Sequence, residues 1–228
     1  MNNLPSHVGI IMDGNGRWAT VRGKKRSYGH KAGSDNVERI ASYAFNKGVR
    51  ILSLYAFSSE NWSRPKEEVD ELMRLLEVYF NKFIKKIIKK GVRLNVMGDI
   101  ERLSDKLRNV IEDAMDKSKH NTEFVINIGI NYGGRQEIVR AVNKLISDKK
   151  EITVENISNN LYTTEFGEPD LIIRTGGELR LSNFMLFQGA YSELYFTDVL
   201  WPDFNEEELD KALDEYSSRN RRYGGLRG

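Results

Sequence analysis

The chain contains no cysteine. That excludes a disulfide framework and thiolate chemistry, and it is compatible with a reducing cytosol. No apolar run approaches the length of a membrane span. The N-terminus lacks the charged-then-apolar pattern of a signal peptide. No repeat or low-complexity linker breaks the chain. Net charge is nearly absent, since 35 Lys and Arg against 33 Asp and Glu leave +2. That balance argues against a dedicated nucleic-acid binder but leaves room for local basic patches. What is present is 228 residues, 30% of them charged. This fits one α/β domain with a large core and a soluble surface.

Short apolar, β-branched runs alternate with longer helical patterns. The runs Val8–Met12, Val49–Phe57, Val92–Met97, Phe124–Ile130, Leu171–Ile173 and Leu194–Phe196 are expected to be strands. Helices are expected at Gly33–Asn46, Lys66–Lys89, Glu101–Lys117, Arg135–Ser147 and Asn205–Ser218. Such alternation implies a mainly parallel central sheet of about six strands, flanked by helices. In a parallel sheet the loops after the strands emerge at one carboxyl edge, where open α/β folds bind ligands.

Those loops carry an unusual chemistry. The first reads Asp13-Gly14-Asn15-Gly16-Arg17. Its glycines let backbone N–H groups approach phosphate oxygens, and Arg17 adds a fixed positive charge. Asp13 would repel an anion there unless a divalent cation stood between them, so a metal-bridged phosphate or diphosphate is implied. The same residues would also serve as a tight turn after an edge strand. No Gly-Lys-Ser/Thr follows, so this is not a Walker A loop, and the dinucleotide glycine spacing is missing. Three further loops, Ser58–Arg64, Asn131–Arg135 and Arg174–Glu178, each bring an arginine to the same edge. Four such turns point to a convergent anion site more strongly than one does.

Two more features sharpen the reading. The segment Arg22–Lys31 is strongly basic and would suit a flexible lid over a diphosphate, or a solvated basic loop. Arg174, Arg180 and Ser182 could clamp a second diphosphate in bidentate fashion. Between them, Val69, Leu72, Met73, Leu76, Phe80, Phe83, Ile84 and Ile87 follow helical spacing, and Leu75, Val78, Tyr79 and Ile88 widen the stripe. A helix apolar over so much of its circumference is buried on several sides, as a core helix or as the wall of a hydrophobic tunnel. Two diphosphate sites beside such a tunnel suggest isoprenoid chemistry.

These residues carry a resemblance. HVGIIMDGNGRWA (7–19), GHKAG (29–33), LYAFSSENWSRP (54–65), NYGGRQEI (131–138), DLIIRTGGELRLSNF (170–184) and YSELYFTDVLWPDF (191–204) resemble the cis-prenyltransferase family. The likeness is to its bacterial di-trans,poly-cis undecaprenyl diphosphate synthase branch and covers nearly the whole chain. It implies a single domain over residues 1–228, a hydrophobic tunnel between sheet and helices, and a homodimer using Mg²⁺. It implies repeated addition of isopentenyl diphosphate to farnesyl diphosphate with loss of pyrophosphate. The usual product is the C55 lipid carrier precursor of cell-wall glycan. The implied location is cytoplasmic, or peripheral at the inner face of the membrane, with transient membrane contact for product release and no nucleic-acid partner. Asp13 matches a catalytic aspartate that helps hold Mg²⁺, and Glu193 a second metal-associated carboxylate. Gly14, Asn15, Gly16, Arg17, Arg26 and His30 match the allylic-diphosphate pocket. Trp18 and Trp62 match substrate-contacting aromatics. Ser58, Ser59, Glu60, Asn61 and Arg64 match the loop near the reacting centre. Arg174, Arg180, Leu181 and Ser182 match the isopentenyl diphosphate clamp. The tail Arg222-Tyr223-Gly224 resembles an Arg-x-Gly element that reaches a partner's site.

Leu179 stands where some members carry histidine, which implies a surface or pocket-edge change. The absence of a DDxxD-type motif supports the cis class over trans-prenyl synthases. The Asn61 position is often assigned proton removal, but an amide is a very poor base. Here Asn61 is expected to orient substrate while the departing diphosphate takes the proton. Alternatives are a noncatalytic partner subunit of a prenyltransferase, which would usually lack Asp13, Asn61, Arg174 and Arg180, or a shorter-chain cis-prenyl synthase. A nucleic-acid binder built on Arg22–Arg26 would need a base-stacking platform that is not evident. A nucleotide-sugar or phosphate-ester enzyme would not need the broad apolar helix.

Overall fold

Six apolar segments pair side by side in one parallel sheet, in the order β3-β4-β2-β1-β5-β6. The structure, a computed structural model, describes residues 4–219, with backbone alone at 83 and 85. The Arg222-Tyr223-Gly224 element lies outside the described residues. The strands are β1 His7–Ile11, β2 Ile51–Ser58, β3 Val92–Met97, β4 Phe124–Tyr132, β5 Leu171–Arg174 and β6 Glu193–Phe196. The helices are α1 Asn15–Thr20, α2 Arg26–Lys47, α3 Lys66–Tyr79, α4 Lys85–Ile88, α5 Asp105–Ser118, α6 Gly134–Ser147, α7 Val154–Ser158 and α8 Glu206–Ser218.

Strand alternation divides the core. Val8, Ile10, Leu52, Leu54, Ile126, Ile128, Leu171 and Ile173 enter the larger cluster together with apolar residues of α2, α3, α5 and α8. Ile11, Met97, Tyr132 and Ile172 face the other way, onto Phe184 and Met185. Both faces are covered, so the strands read as nearly continuous apolar runs. On the second face a polar ladder crosses the sheet. His7 Nε2 shares a hydrogen bond with Ser53 Oγ at 2.7 Å, Asn127 Nδ2 donates to Ser53 Oγ at 2.9 Å, and Asn95 Nδ2 donates to Asn127 Oδ1 at 3.0 Å.

Three expectations need correction. The loop after β1 is a turn only at Gly14, whose φ of 108° favours glycine, and the chain then coils into α1. Helix α2 starts at Arg26, not Gly33. Its glycines are not helix breakers here, because α1 crosses against them. A Cβ on Gly29 would lie 1.9 Å from the Asn15 carbonyl oxygen, and one on Gly33 would lie 2.2 Å from Asn15 Oδ1. Half of the basic segment expected as a flexible lid is therefore helical. Finally, the long apolar helix is not uniform. Between α3 and α4, Phe80–Ile84 form a π-helical turn, a local widening that re-aims the apolar stripe.

Candidate active site

The loops at the carboxyl edge enclose a polar cleft of about 680 Å³. At its centre the Asp13 carboxylate meets two arginines. Arg174 Nη2 donates to Asp13 Oδ2 at 3.0 Å, and Arg17 Nη2 lies 3.4 Å from the same oxygen. Arg174 is buried, and its other terminal nitrogen donates to the Arg180 carbonyl and to Ser182 Oγ at 2.7 Å. The Asp13 backbone is pinned as well, since Thr175 Oγ1 and the Trp201 N–H both donate to its carbonyl. Gly176, at φ 87°, makes this packing possible. A Cβ there would come 2.7 Å from Arg17 Nη2 and 3.1 Å from the Asp13 carbonyl.

The turn that follows is strained. Ser182, Asn183 and Met185 have φ of 46°, 66° and 44°, a region costly for side chains other than glycine and tolerated best by Asn. Contacts hold it there. The Gly134 N–H donates to the Asn183 carbonyl at 2.7 Å, the Arg135 N–H donates to Asn183 Oδ1 at 2.8 Å, and Asn183 Nδ2 donates to Glu60 Oε1 at 2.8 Å. Burial pushes the Glu60 carboxyl up, but hydrogen bonds led by Asn183 outweigh it and leave its pKa below the ordinary value.

Asn61 sits in the short 3-10 turn Ser59–Ser63. Its Oδ1 accepts the Ser58 N–H at 3.1 Å, one half of a capping box. The carbonyl end of the amide is thereby committed to backbone.

On the opposite wall, one carboxylate gathers three cationic or ionisable groups. Glu68, in the first turn of α3, accepts from Arg26 Nε at 3.1 Å, from Arg64 Nη1 at 3.0 Å and pairs with His30 Nε2 at 3.3 Å. Burial pushes Glu68 up, but Arg26, Arg64 and His30 together hold it below the usual carboxylate range. Burial also lowers His30, against the upward pull of Glu68. His30 is therefore neutral at pH 7 and offers a single ring N–H.

Behind the cleft lies an apolar channel between the sheet and helices α2 and α3. Met12, Val37, Leu54, Phe57, Leu76 and Ile128 line it. Met12, Asn15, His30, Ala56 and Leu72 line both spaces, so the two adjoin. The channel holds about 80 Å³ in this conformation, room for only a few water-sized groups.

The comparisons with known proteins agree with this geometry. A prenyltransferase family described as undecaprenyl diphosphate synthase matches residues 11–224. The chain belongs to that family. It is therefore a prenyltransferase. It is 50% identical to the isoprenyl transferase of Fusobacterium nucleatum subsp. nucleatum, over 99% of this chain and 98% of that one. It is 48% identical to the ditrans,polycis-undecaprenyl-diphosphate synthase ((2E,6E)-farnesyl-diphosphate specific) of Pasteurella multocida, over 98% and 96%. Among solved structures, lavandulyl diphosphate synthase from Lavandula x intermedia, in complex with dimethylallyl diphosphate, matches with a TM-score of 0.93. It is 36% identical, covering 97% of this chain and 99% of that one.

The prenyltransferase cleft brings together most residues anticipated from sequence: Asp13, Gly14, Asn15, Gly16, Arg17, Arg26, His30, Ser58, Glu60, Asn61, Arg64, Arg174, Arg180 and Ser182. Five others stand elsewhere. Trp18 commits its indole N–H to Asp203 at 2.6 Å and stacks on Tyr28. Trp62 donates to Asn131 Oδ1 at 2.8 Å and packs edge-on to Phe57. Ser59 Oγ is buried without a hydrogen-bond partner, and Leu181 packs against the smaller core. Glu193 is the plainest departure. It opens β6 level with Leu171, which is level with Val8. At about 3.3 Å per residue, it lies at the far edge of the sheet from Asp13. It pairs there with Arg219 at 2.7 Å, so this chain does not bring the two carboxylates together. Leu179 is highly exposed, as a surface change implies.

Arg135, whose loop the sequence brought to this edge, lines the cleft; sequence reasoning did not select Tyr55 or Asn183, which also line it, or Glu68. A signal for Glu68 existed, because an acid four residues after Arg64 at a helix start favours an i,i+4 pair.

Proposed function

We propose that this prenyltransferase is an Mg²⁺-dependent, cis-elongating enzyme that condenses isopentenyl diphosphate units onto farnesyl diphosphate. The proposed product is C55 undecaprenyl diphosphate, the precursor of a cell-wall lipid carrier. The observation that carries this reading is a cationic cleft adjoining an apolar channel through shared lining residues. Diphosphate groups suit the first space and a prenyl chain the second.

The cation must fit the donors present. Among the described residues, no three His, Asp or Glu side chains gather as a cage. Magnesium does not need one, because it keeps waters and is commonly held by one or two carboxylates plus substrate phosphates. A single Asp13 carboxylate in a cleft rich in arginine fits an ion that arrives with the diphosphate. Asp13 would hold it, at the mouth of the loop that carries Arg17. When bound, the ion offsets the negative charge that builds on the leaving diphosphate.

The chain's own residues do the rest. In the proposed reaction the C1–O bond of the allylic diphosphate breaks, its C1 bonds to C4 of the isopentenyl unit, and a C2 proton leaves. Arg17, Arg26, Arg64 and the His30 N–H stabilise the departing diphosphate. Entry of that diphosphate competes with Glu68 for three of these groups. Arg174, Arg180 and Ser182 orient the second diphosphate, which removes much of the entropic barrier. Asn61 positions substrate through its free N–H₂ end, since its oxygen already accepts from Ser58. The departing diphosphate takes the proton.

A homodimer is part of the proposal. It is supported by large apolar side chains left exposed at Val139, Ile146, Ile152, Val154 and Tyr191. Among the described residues no helix is long and apolar enough to cross a membrane, and the proposed location is cytoplasmic, or peripheral at the inner face of the membrane.

The test is incorporation of radiolabelled isopentenyl diphosphate with farnesyl diphosphate and Mg²⁺, resolving product length, beside Asp13→Ala. A ladder ending near C55 and lost in the variant supports the proposal. A shorter endpoint reassigns the product to a medium-chain synthase. No incorporation by folded protein refutes catalysis and leaves a partner subunit.

A further inference from the structure

Three residues of the turn 182–185 hold costly positive φ, and each is gripped differently. Asn183 is bonded from Gly134, Arg135 and Glu60, as described above. Met185 is buried, and its carbonyl accepts the Gly189 N–H at 2.7 Å. Ser182, at φ 46°, is exposed, and its backbone needs a different hold. Tyr55 supplies it. The Tyr55 hydroxyl donates to the Tyr132 carbonyl at 3.1 Å and to the Ser182 carbonyl at 3.3 Å. Neither contact is short, as expected where one proton is shared between two acceptors.

The ring adds a second grip. It stacks on the fully buried Phe184 at 4.7 Å and meets Tyr132 edge-on at 5.8 Å. Aromatic pairs in these arrangements attract beyond simple burial. Two strand glycines leave room for the stack. Gly129 is level with Tyr55, and a Cβ there would lie 3.3 Å from Tyr55 Cδ2. A Cβ on Gly9 would lie 3.1 Å from Phe184 Cε1. Tyr55 thus holds residues 182 and 184, on either side of Asn183. Burial, helped by the Glu60 carboxylate, pushes the Tyr55 pKa up, so the hydroxyl keeps its proton and stays a donor.

The turn matters because of what it presents. Arg174 Nη1 donates to Ser182 Oγ at 2.7 Å and to the Arg180 carbonyl. A strained backbone persists only where its surroundings over-determine it. Relaxation of Ser182 to negative φ would move its hydroxyl relative to Arg174. We propose that Tyr55 is a positioning residue for the isopentenyl diphosphate. Through Ser182 and Phe184 it keeps the strained turn, and with it the clamp of Arg174, Arg180 and Ser182, ready to bind. The inference rests on the chain-elongating reading above. Tyr55 also lines the cleft, so the test must separate positioning from direct contact with substrate.

The test is steady-state incorporation of isopentenyl diphosphate by the full chain, wild type beside Tyr55→Phe, which deletes the hydroxyl and keeps the ring. The isopentenyl KM should rise about ten-fold, with the allylic KM and the saturated kcat nearly unchanged. Tyr55→Leu, which loses the stack as well, should raise it further. Thermal melting accompanies both variants, and if Tyr55→Leu melts early the Phe variant decides. A second arm uses Ser182→Gly, which relieves the φ penalty and removes the hydroxyl that Tyr55 positions. Adding Tyr55→Phe to it should cost little more, because the two act through one turn. Fully additive losses overturn the proposal and make Tyr55 a substrate contact. An unchanged isopentenyl KM in Tyr55→Phe overturns it too, as does an equal rise in both KM values. If folded wild-type protein incorporates no isopentenyl diphosphate, the chain-elongating reading falls and this inference with it. Intact wild-type incorporation with an unmoved Tyr55→Phe removes this inference alone.

Discussion

The two walls of the cleft handle charge differently. Around Asp13, the buried Arg174 is braced to Arg180, Ser182 and Asp13 at once. Around Glu68, the cations come from α2 and the turn before α3, and the Arg26 side chain is 52% exposed. The first wall is preorganised, with its guanidinium held by backbone and hydroxyl whether or not ligand is present. The second is held by a carboxylate that a diphosphate must displace. A site that binds two anions in turn gains from this asymmetry. The rigid wall sets geometry for the reacting centre, while the exchangeable wall lets an anion enter and leave.

Four measurements would break or sharpen that contrast. The largest effect is expected from Asp13→Ala, which removes the only carboxylate bonded to Arg174 among the described residues. Isopentenyl incorporation should fall on the order of a thousand-fold, with thermal stability nearly unchanged. Retained activity would mean that the rigid wall works by its cations alone.

The next effect is on stability and lies outside both walls. Burial lowers the His7 pKa from 6.5 to about 4, against the upward pull of Asp170. The folded state thus resists protonating His7 more than the unfolded chain does. Stability is full above pH 6.5 and is lost as pH falls toward 4, by about 3 kcal/mol in all. Chemical denaturation across that window should lose this slope in His7→Gln. Activity lost in wild type over the same range, but not in the variant, belongs to the sheet and not to the cleft.

Arg174→Lys keeps the charge but loses the planar fork that reaches three partners. The expected loss is roughly 100-fold in kcat/KM for isopentenyl diphosphate, with little change in KM for the allylic substrate. Glu68→Gln should act in the opposite compartment. It loosens Arg26, Arg64 and His30 together and should shift KM for the allylic diphosphate by about ten-fold, leaving the isopentenyl KM unchanged. If both variants moved both KM values alike, the walls would not be independent.

Local pattern made much of this protein legible. Six β-branched runs separated by helical stretches imply a parallel sheet, because strand period and crossover length are short-range properties. The carboxyl-edge loops follow from that sheet, so Asp13, Arg17, Arg174 and Arg180 could be grouped before any contact was seen. The wrongly started α2 shows where the reading stops. Gly29 and Gly33 look like breakers in isolation, and only the crossing of α1 at Asn15 makes them necessary. The matching motif marks Trp18 and Trp62 as substrate-contacting aromatics, and only the structure shows that Asp203 and Asn131 hold their N–H groups.

The sequence by itself determined the strands, the order of chemistry along them and the edge at which it gathers. Those depend on residues a few positions apart. Only the tertiary structure decided that Glu68 collects Arg26, His30 and Arg64, that Glu193 sits at the far edge with Arg219, and that the cationic cleft adjoins the apolar channel. The physical reason is that a contact between side chains on separate elements is set by how those elements pack, and no short window of sequence contains that distance.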